Sequence, residues 1–307
     1  MQNVLVLGAS GMLGSMVIDY LSTMRQMRLT GALRSSRVMN RFRRLYPEVN
    51  WVPFSYSIDT RTSSFEGLGQ QDWIINAVGI TKPLIRDDNS VQIEDAVAVN
   101  CLLPHDLGRY ALSVGARVLQ IATDCVYSGA KGLYKESDAH DALDVYGKTK
   151  SIGESWQPNV HHLRCSIIGP EPKDFKFLIE WFVRQPQGAL VNGFTNHSWN
   201  GVTTLHFAKL CKGIIETDAQ LQHMQHVVAG GPVTKAQMLR DFATAYGRED
   251  ISINNVEAKT VVDRTLATGN PELNAGLWLA VGYKNIPTVP QMIRELSKYR
   301  YRGAKEA

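Results

Sequence analysis

Cysteine is scarce in this chain. Its 307 residues hold four, Cys101, Cys125, Cys165 and Cys211, with no CxxC pair and no regular spacing. That argues against a disulfide framework and a zinc site, and no metal is expected. Long apolar runs are missing as well; none reaches the ~20 residues needed to span a bilayer. The opening stretch MQNVLVLGASG has no basic n-region and meets glycine and serine almost at once. No leader and no membrane association are expected, and a cytoplasmic location follows. Strong charge of either sign is also absent. A formal net charge of +4 does not suggest a nucleic-acid partner. Internal repeats and low-complexity segments are not found.

What is present is an alternation of apolar runs and helical patterns. NVLVLG (3–8), RLTGALR (28–34), VNWVPF (49–54), DWIINAVG (72–79) and ARVLQIAT (116–123) read as buried strands. Helical patterns occupy about 11–24, 89–114 and 145–156, and VHHLRCSII (160–168) reads as a further strand. Continuous apolar strands separated by helices predict a parallel sheet covered on both faces. The expected fold is α/β: a Rossmann-type, doubly wound parallel sheet with a smaller C-terminal substrate-binding lobe. Residues 1–168 form the dinucleotide-binding domain. Residues 169–307 form most of the lobe, with some segments returning to the main domain. Helices near 175–184, 203–216, 234–246 and 289–299, with a short element at 226–229, complete the pattern.

The stretch VLGASGMLG places Gly8, Gly11 and Gly14 between the first strand and the first helix. Glycines there permit a tight turn and close backbone approach, while the free amides of the helix start face a pyrophosphate. Ser10, Met12 and Leu13 belong to the same loop. The second strand ends about twenty residues later, where an Asp or Glu usually meets a free ribose 2′-hydroxyl. Here the residues are Arg34, Ser35, Ser36 and Arg37, with no carboxylate. An arginine fork suits a 2′-phosphate, so NADPH is expected over NADH. Arg41, Arg43 and Arg44 read as surface charge.

In VYGKTK, Tyr146 and Lys150 are four apart and share a helix face. A nearby ammonium favours phenolate, which makes such a tyrosine a better proton shuttle. Thr123 ends the fifth strand, the edge at which open parallel sheets bind ligands. Its hydroxyl suits a substrate carbonyl oxygen. Asn100 lies on an apolar helix stripe and needs a partner for its amide.

With these residues the chain resembles the extended short-chain dehydrogenase/reductase family. Within it, the chain is most similar to the dTDP-4-dehydrorhamnose reductase group. GASGMLG, Asn76-Ala77 with Gly79 after the fourth strand, Asn100, Thr123-Asp124 and Tyr146-GKT-Lys150 carry the likeness. It spans roughly residues 1–215 and is strongest in the first 170. The resemblance implies that Tyr146 protonates a sugar keto oxygen as hydride arrives from the nicotinamide. It implies that Lys150 binds the nicotinamide ribose and lowers the Tyr146 pKa, that Thr123 orients the carbonyl, and that Asn100 supports the active-site helix and its water network. It places Asn76, Ala77, Val78, Gly79 and the backbone of Cys165 and Ser166 beside the cofactor. A nucleotide-sugar substrate is implied, and a homodimer is compatible with it.

Related 4,6-dehydratases carry Asp-Glu directly after the threonine. Here Asp124 is followed by Cys125, and a thiol replaces a carboxylic acid poorly in an elimination. Simple ketone reduction is therefore expected, in deoxysugar or surface-polysaccharide biosynthesis. The alternatives are a nucleotide-sugar epimerase with retained NAD(P) and a non-catalytic dinucleotide-binding regulatory subunit. Asp124 and Cys125 are expected to touch substrate. In the later segment VNGFTNHSWNGVTTLHFAKL the group's Gln-x-Gly-x-Pro-Thr run reads Trp199-Asn200-Gly201-Val202-Thr203-Thr204. Asn196, Trp199 and Asn200 are expected to contact the sugar nucleotide. His161 and His162 read as structural, and Glu136, Asp138, Asp141 and Asp144 as a solvated acidic loop.

Overall fold

A computed structural model of the chain describes residues 1–61 and 63–304. Strands β1 (Gln2–Leu7), β2 (Met27–Leu33), β3 (Asn50–Pro53), β4 (Trp73–Asn76), β5 (Arg117–Ala122), β6 (Val160–Arg164) and β7 (Met224–His226) build one sheet. Its order is β7-β6-β5-β4-β1-β2-β3, and every neighbouring pair is parallel. This is the doubly wound order with one strand added beyond β6. The expected fold class is therefore found. Val4, Leu5, Val6 and Leu7 are all fully buried, as a central strand covered on both faces requires.

Helices α1 (Met12–Leu21), α2 (Ser36–Leu45), α3 (Ser90–Ala96), α4 (Leu103–Ser113) and α5 (Val145–Ile152) connect the first six strands. The helix expected over 89–114 is continuous but not uniform. Its middle, Val97–Leu102, winds as a π-helix, a departure often found at functional sites. The strand expected over 160–168 splits. Val160–Arg164 stays in the sheet, while Ile167–Ile168 pairs with Val202–Thr203 outside it.

Beyond that point α6 (Leu178–Val183), α7 (Thr204–Thr217), α8 (Lys235–Tyr246), α9 (Pro271–Ala280) and α10 (Val289–Lys298) alternate with very short strands. His197–Trp199 pairs with Val233–Thr234 on one side and Val262–Asp263 on the other. Two- and three-residue strands leave too little alternation to be read from sequence. Strand β7 returns from this half of the chain to the main sheet, and α7 packs against α1. No helix among the described residues is long and apolar enough to cross a membrane.

The end of the chain closes over α1. Asp19 on that helix is 2% exposed and accepts hydrogen bonds from the hydroxyls of Tyr46 (3.0 Å) and Tyr299 (2.7 Å) and from the Arg302 guanidinium (3.1 Å). Tyr301 donates to Ser15, also on α1, at 2.6 Å. Removing the carboxylate strands the buried Tyr46 hydroxyl and takes an acceptor from the half-buried Tyr299 and Arg302. Asp19→Ala is expected to lower the unfolding free energy by about 3 kcal/mol, measured by guanidinium chloride denaturation.

Candidate active site

The glycine loop leaves β1 at Gly8, whose φ of +75° lies in the left-handed region. A Cβ there would come within 2.9 Å of the Ala77 carbonyl carbon. At Gly14 a Cβ would fall 2.2 Å from the Gly8 oxygen. Only glycine lets α1 lie this close to the strand end. Gly11 caps the helix without any side-chain bond to its first turn. The leading amides at Met12, Leu13 and Gly14 thus have no intrahelical acceptor and point where an anion can sit. Ser10 lies half-buried at the loop surface.

Arg34 is exposed directly beyond β2 and makes no hydrogen bond or ion pair among the described residues. Ser35 beside it caps α2, accepting from the Val38 amide at 3.3 Å. The Ala9 amide donates to Ala32 at 3.2 Å, so the glycine loop and the end of β2 share one rim. Arg43 and Arg44 are exposed, as expected for surface charge, while Arg41 is half-buried. Arg41 donates to the carbonyls of Pro172 and Gly303, and Arg43 to that of Trp51. A glycine cradle, an uncapped helix start and a free guanidinium at the next strand end together fit a phosphorylated dinucleotide.

Beyond β4, Asn76 donates to Gln120 at 2.7 Å and accepts from the Val78 amide at 3.1 Å. This sets the turn through Ala77, Val78 and Gly79 on the same rim. Asn100 answers its demand for partners in the π-helical turn. Its side chain accepts from the Ile80 amide and donates to the Ile80 carbonyl, both at 2.9 Å. It also donates to the Thr149 hydroxyl at 3.4 Å. One amide therefore joins the rim to α5. Gly153 permits the approach, since a Cβ there would fall 1.9 Å from the Asn100 carbonyl oxygen.

The catalytic candidates converge at the end of β5. Thr123 accepts from the Cys125 amide at 3.1 Å and donates to the Asp124 carboxylate at 3.3 Å. Tyr146, partly exposed, follows the α5 cap, where Asp144 accepts from the Gly147 amide at 2.8 Å. Burial raises the Tyr146 phenol well above its ordinary value, and Cys125 adds to the rise. A hydrogen bond with Thr123 works in the lowering direction. The surroundings of Tyr146 thus favour the protonated phenol. Lys150 is 8% exposed and donates to the Ile121 carbonyl at 3.2 Å. Burial pushes its ammonium down to about 8, against the pull of Glu154.

Burial also raises the Asp124 carboxyl, and pushes the Cys125 thiol up to about 12. Two cations act on this pair from the second half of the chain, Lys235 at the start of α8 and Arg264. Arg264 donates to the Tyr127 carbonyl at 2.8 Å, while Lys235 makes no hydrogen bond among the described residues. Neither stands in a motif or at a periodic position, so the sequence offered no signal for them.

Trp199 is 6% exposed and packs in the core, its ring filling the space beside Gly201. Asn200 pairs both ways with the backbone of Leu266, at 2.7 and 2.9 Å. Asn196 does the same with Ala258, at 2.8 and 3.0 Å. The polar atoms of Asn196 and Asn200 pin short segments of the lobe. The Cys165 amide donates to Ala122 at 3.4 Å, and the Ser166 carbonyl accepts from Val202 at 2.9 Å. Those two groups are therefore engaged by the fold, although Ser166 itself stays partly exposed. The acidic stretch is not simply solvated. Glu136 binds the His226 and Gly269 amides and the Thr268 hydroxyl, Asp141 binds Ser128, and Asp144 pairs with Lys82 at 2.6 Å. His161 and His162 are tied to backbone carbonyls of Gln222 and Ser155. No group of three or more metal-type ligands occurs among the described residues.

Fold and site together define a class: a Rossmann-fold protein with a dinucleotide-type glycine loop and a threonine–tyrosine–lysine cleft at the sheet edge. The chain belongs to the RmlD substrate binding domain family, whose model matches residues 1–294. A dTDP-4-dehydrorhamnose reductase of Aggregatibacter actinomycetemcomitans is 37% identical over 82 residues, 26% of this chain and 27% of that protein. The methionine adenosyltransferase 2 subunit beta of Xenopus tropicalis is 35% identical over 63 residues, 20% of this chain and 19% of that protein. The matches thus span about a quarter or less of these curated relatives. Among solved structures, the Bacillus anthracis dTDP-4-dehydrorhamnose reductase in complex with NADP superposes with a TM-score of 0.71 at 16% identity, covering 96% of this chain and 98% of that one. The Bacillus cereus UDP-glucuronic acid 4-epimerase gives 0.72 at 13% identity, covering 97% and 98%. At such identities the likeness speaks for the fold.

The raised Cys125 thiol has a direct consequence. The thiolate is the reactive form, and it stays scarce until the pH approaches about 12. Alkylation of Cys125 by iodoacetamide at mildly alkaline pH is expected to run at least about tenfold slower than for a free cysteine. Peptide mass spectrometry reads this out.

Proposed function

We propose that this protein is an NADPH-dependent reductase of a nucleotide-activated 4-keto-6-deoxy sugar. The observation that carries the reading is the placement of Thr123 at the end of β5, where the Lys150 ammonium donates to the Ile121 carbonyl of the same strand and the Tyr146 phenol is coupled to the Thr123 hydroxyl. Gly8, Gly11 and Gly14 with the α1 amides would hold the pyrophosphate, and Arg34 the 2′-phosphate. When bound, the reduced nicotinamide supplies a hydride.

The residues of the chain supply the rest. Thr123 orients the keto oxygen. Tyr146 stays protonated across the working pH range, because its burial favours the neutral phenol. A reduction needs a proton delivered to the developing alkoxide, and a protonated phenol held at the oxygen provides it. Lys150 carries positive charge below about pH 8 and loses it above, so it aids the alkoxide in the neutral range. Lys235 and Arg264 bring positive charge to the far side of Asp124 and Cys125, a setting suited to a diphosphate-bearing substrate. Burial keeps Asp124 able to donate a proton, but Cys125 beside it is an inert thiol with no carboxylate base, so the acid–base pair that water elimination needs is incomplete.

Mixing the protein with NADPH and a 4-keto-6-deoxy nucleotide sugar is expected to consume NADPH stoichiometrically, followed by its absorbance. Tyr146→Phe should cut turnover by about a hundredfold or more while NADPH still binds. Sugar inversion without net NADPH loss would overturn the reading in favour of an epimerase. Firm NADPH binding with no turnover on any keto sugar would favour a regulatory subunit.

The cofactor choice has its own test. Arg34→Ala is expected to weaken NADPH at least about tenfold and NADH less than twofold, by calorimetric titration. Equal weakening of both contradicts the assignment.

A further inference from the structure

Behind the active site lies a polar cluster that the proposed chemistry does not use. Arg164, at the end of β6, is 1% exposed. Its guanidinium donates to the Tyr127 hydroxyl at 2.7 Å, to His226 Nε2 at 2.9 Å, to His140 Nε2 at 2.9 Å and to the Glu154 carboxylate. The far side of each histidine is held too. His226 Nδ1 meets the Ala267 carbonyl at 2.7 Å, and His140 Nδ1 meets the Ser151 hydroxyl at 2.7 Å. Both imidazoles accept from Arg164 through Nε2, so the network assigns the proton to Nδ1 and keeps both rings neutral. A proton on either Nε2 would face the guanidinium.

The sequence positions of these partners are informative. Tyr127 lies four residues after Thr123. Ser151 and Glu154 lie one and four residues after Lys150. One buried cation thus grips both chain segments that carry the catalytic candidates, and His226 and Ala267 extend the grip to the second half of the chain. Two of the four partners of this buried guanidinium, Tyr127 and Glu154, lie on the segments that leave the active site, while Arg164 Nε is buried with no hydrogen-bond partner among the described residues.

We propose that Arg164 and Glu154 are positioning residues: Arg164 locks the Thr123 and Lys150 segments to each other and fixes the Glu154 carboxylate behind the Lys150 ammonium. This builds on the role given to Lys150 above, but its test needs no substrate. The groups acting on Lys150 are the Ile121 carbonyl on β5, His162 on β6, and Glu154 just past the helix end. His162 is buried and neutral in the working range, pushed down to about 3. Glu154 is then the anion that keeps the ammonium charged.

Competitive acetylation of the apoprotein with acetic anhydride across neutral to alkaline pH, read by peptide mass spectrometry at Lys150, reports the proton on that amine. The wild-type midpoint is expected near 8. Glu154→Gln removes the anion and is expected to lower the midpoint by about half a unit or more. Glu154→Asp keeps the charge but withdraws it by one methylene and is expected to lower it by less. It serves should Glu154→Gln not fold. An unchanged midpoint in either folded variant overturns the proposal, whether or not the protein proves to be a reductase. In the reductase assay the alkaline limb of kcat is expected to move with the labelling midpoint, while KM for NADPH changes less than twofold.

Discussion

The paired hydrogen bonds between the Asn100 side chain and the Ile80 backbone are the constraint on which the rest of this cleft depends. A carboxamide presents one donor group and one acceptor, and a single backbone unit satisfies both. That arrangement is possible because the helix carrying Asn100 unwinds into a π turn and because Gly153 has no side chain. The turn after β4, the π turn and α5 become one unit. The dinucleotide rim and the Tyr146–Lys150 face therefore cannot shift independently.

Burial sets the electrostatics of that unit. Removing the Tyr146 phenol, the Asp124 carboxyl and the Cys125 thiol from water favours their neutral forms, and removing the Lys150 ammonium from water does the same in the opposite direction. Proton-donating groups accumulate beyond the end of β5. The compensating charge sits one layer back, in the Arg164–Glu154 pair, and across the cleft, on Lys235 and Arg264. Charge is thus kept near the reacting position without an ion pair filling it.

Legibility followed sequence distance. The glycine loop, the strand ends that follow it and the Tyr146–Lys150 spacing were readable, because each rests on neighbours in the chain. Thr123 and Asn100 were readable through their places on a strand end and a helix face. The lobe was not. Asn196, Trp199 and Asn200 looked like a ligand surface because polar and aromatic residues cluster there. The asparagines' partners, Ala258 and Leu266, lie 62 and 66 residues away and make them fasteners of the lobe, while Trp199 packs in the core. The acidic stretch looked solvated for the same reason, although Glu136 closes on residues 90 and 133 positions on.

By itself, the sequence determined the parallel sheet, the glycine cradle, the absence of a carboxylate beyond β2 and the helix face shared by Tyr146 and Lys150. Periodicity and local backbone geometry are properties of adjacent residues, so no other part of the chain was needed. Only the tertiary structure decided which polar side chains remain free to meet a ligand. It also buried the Tyr146 phenol and assembled the Arg164 cluster. Desolvation and hydrogen-bond saturation depend on what the folded chain brings from far away, and no local pattern encodes that.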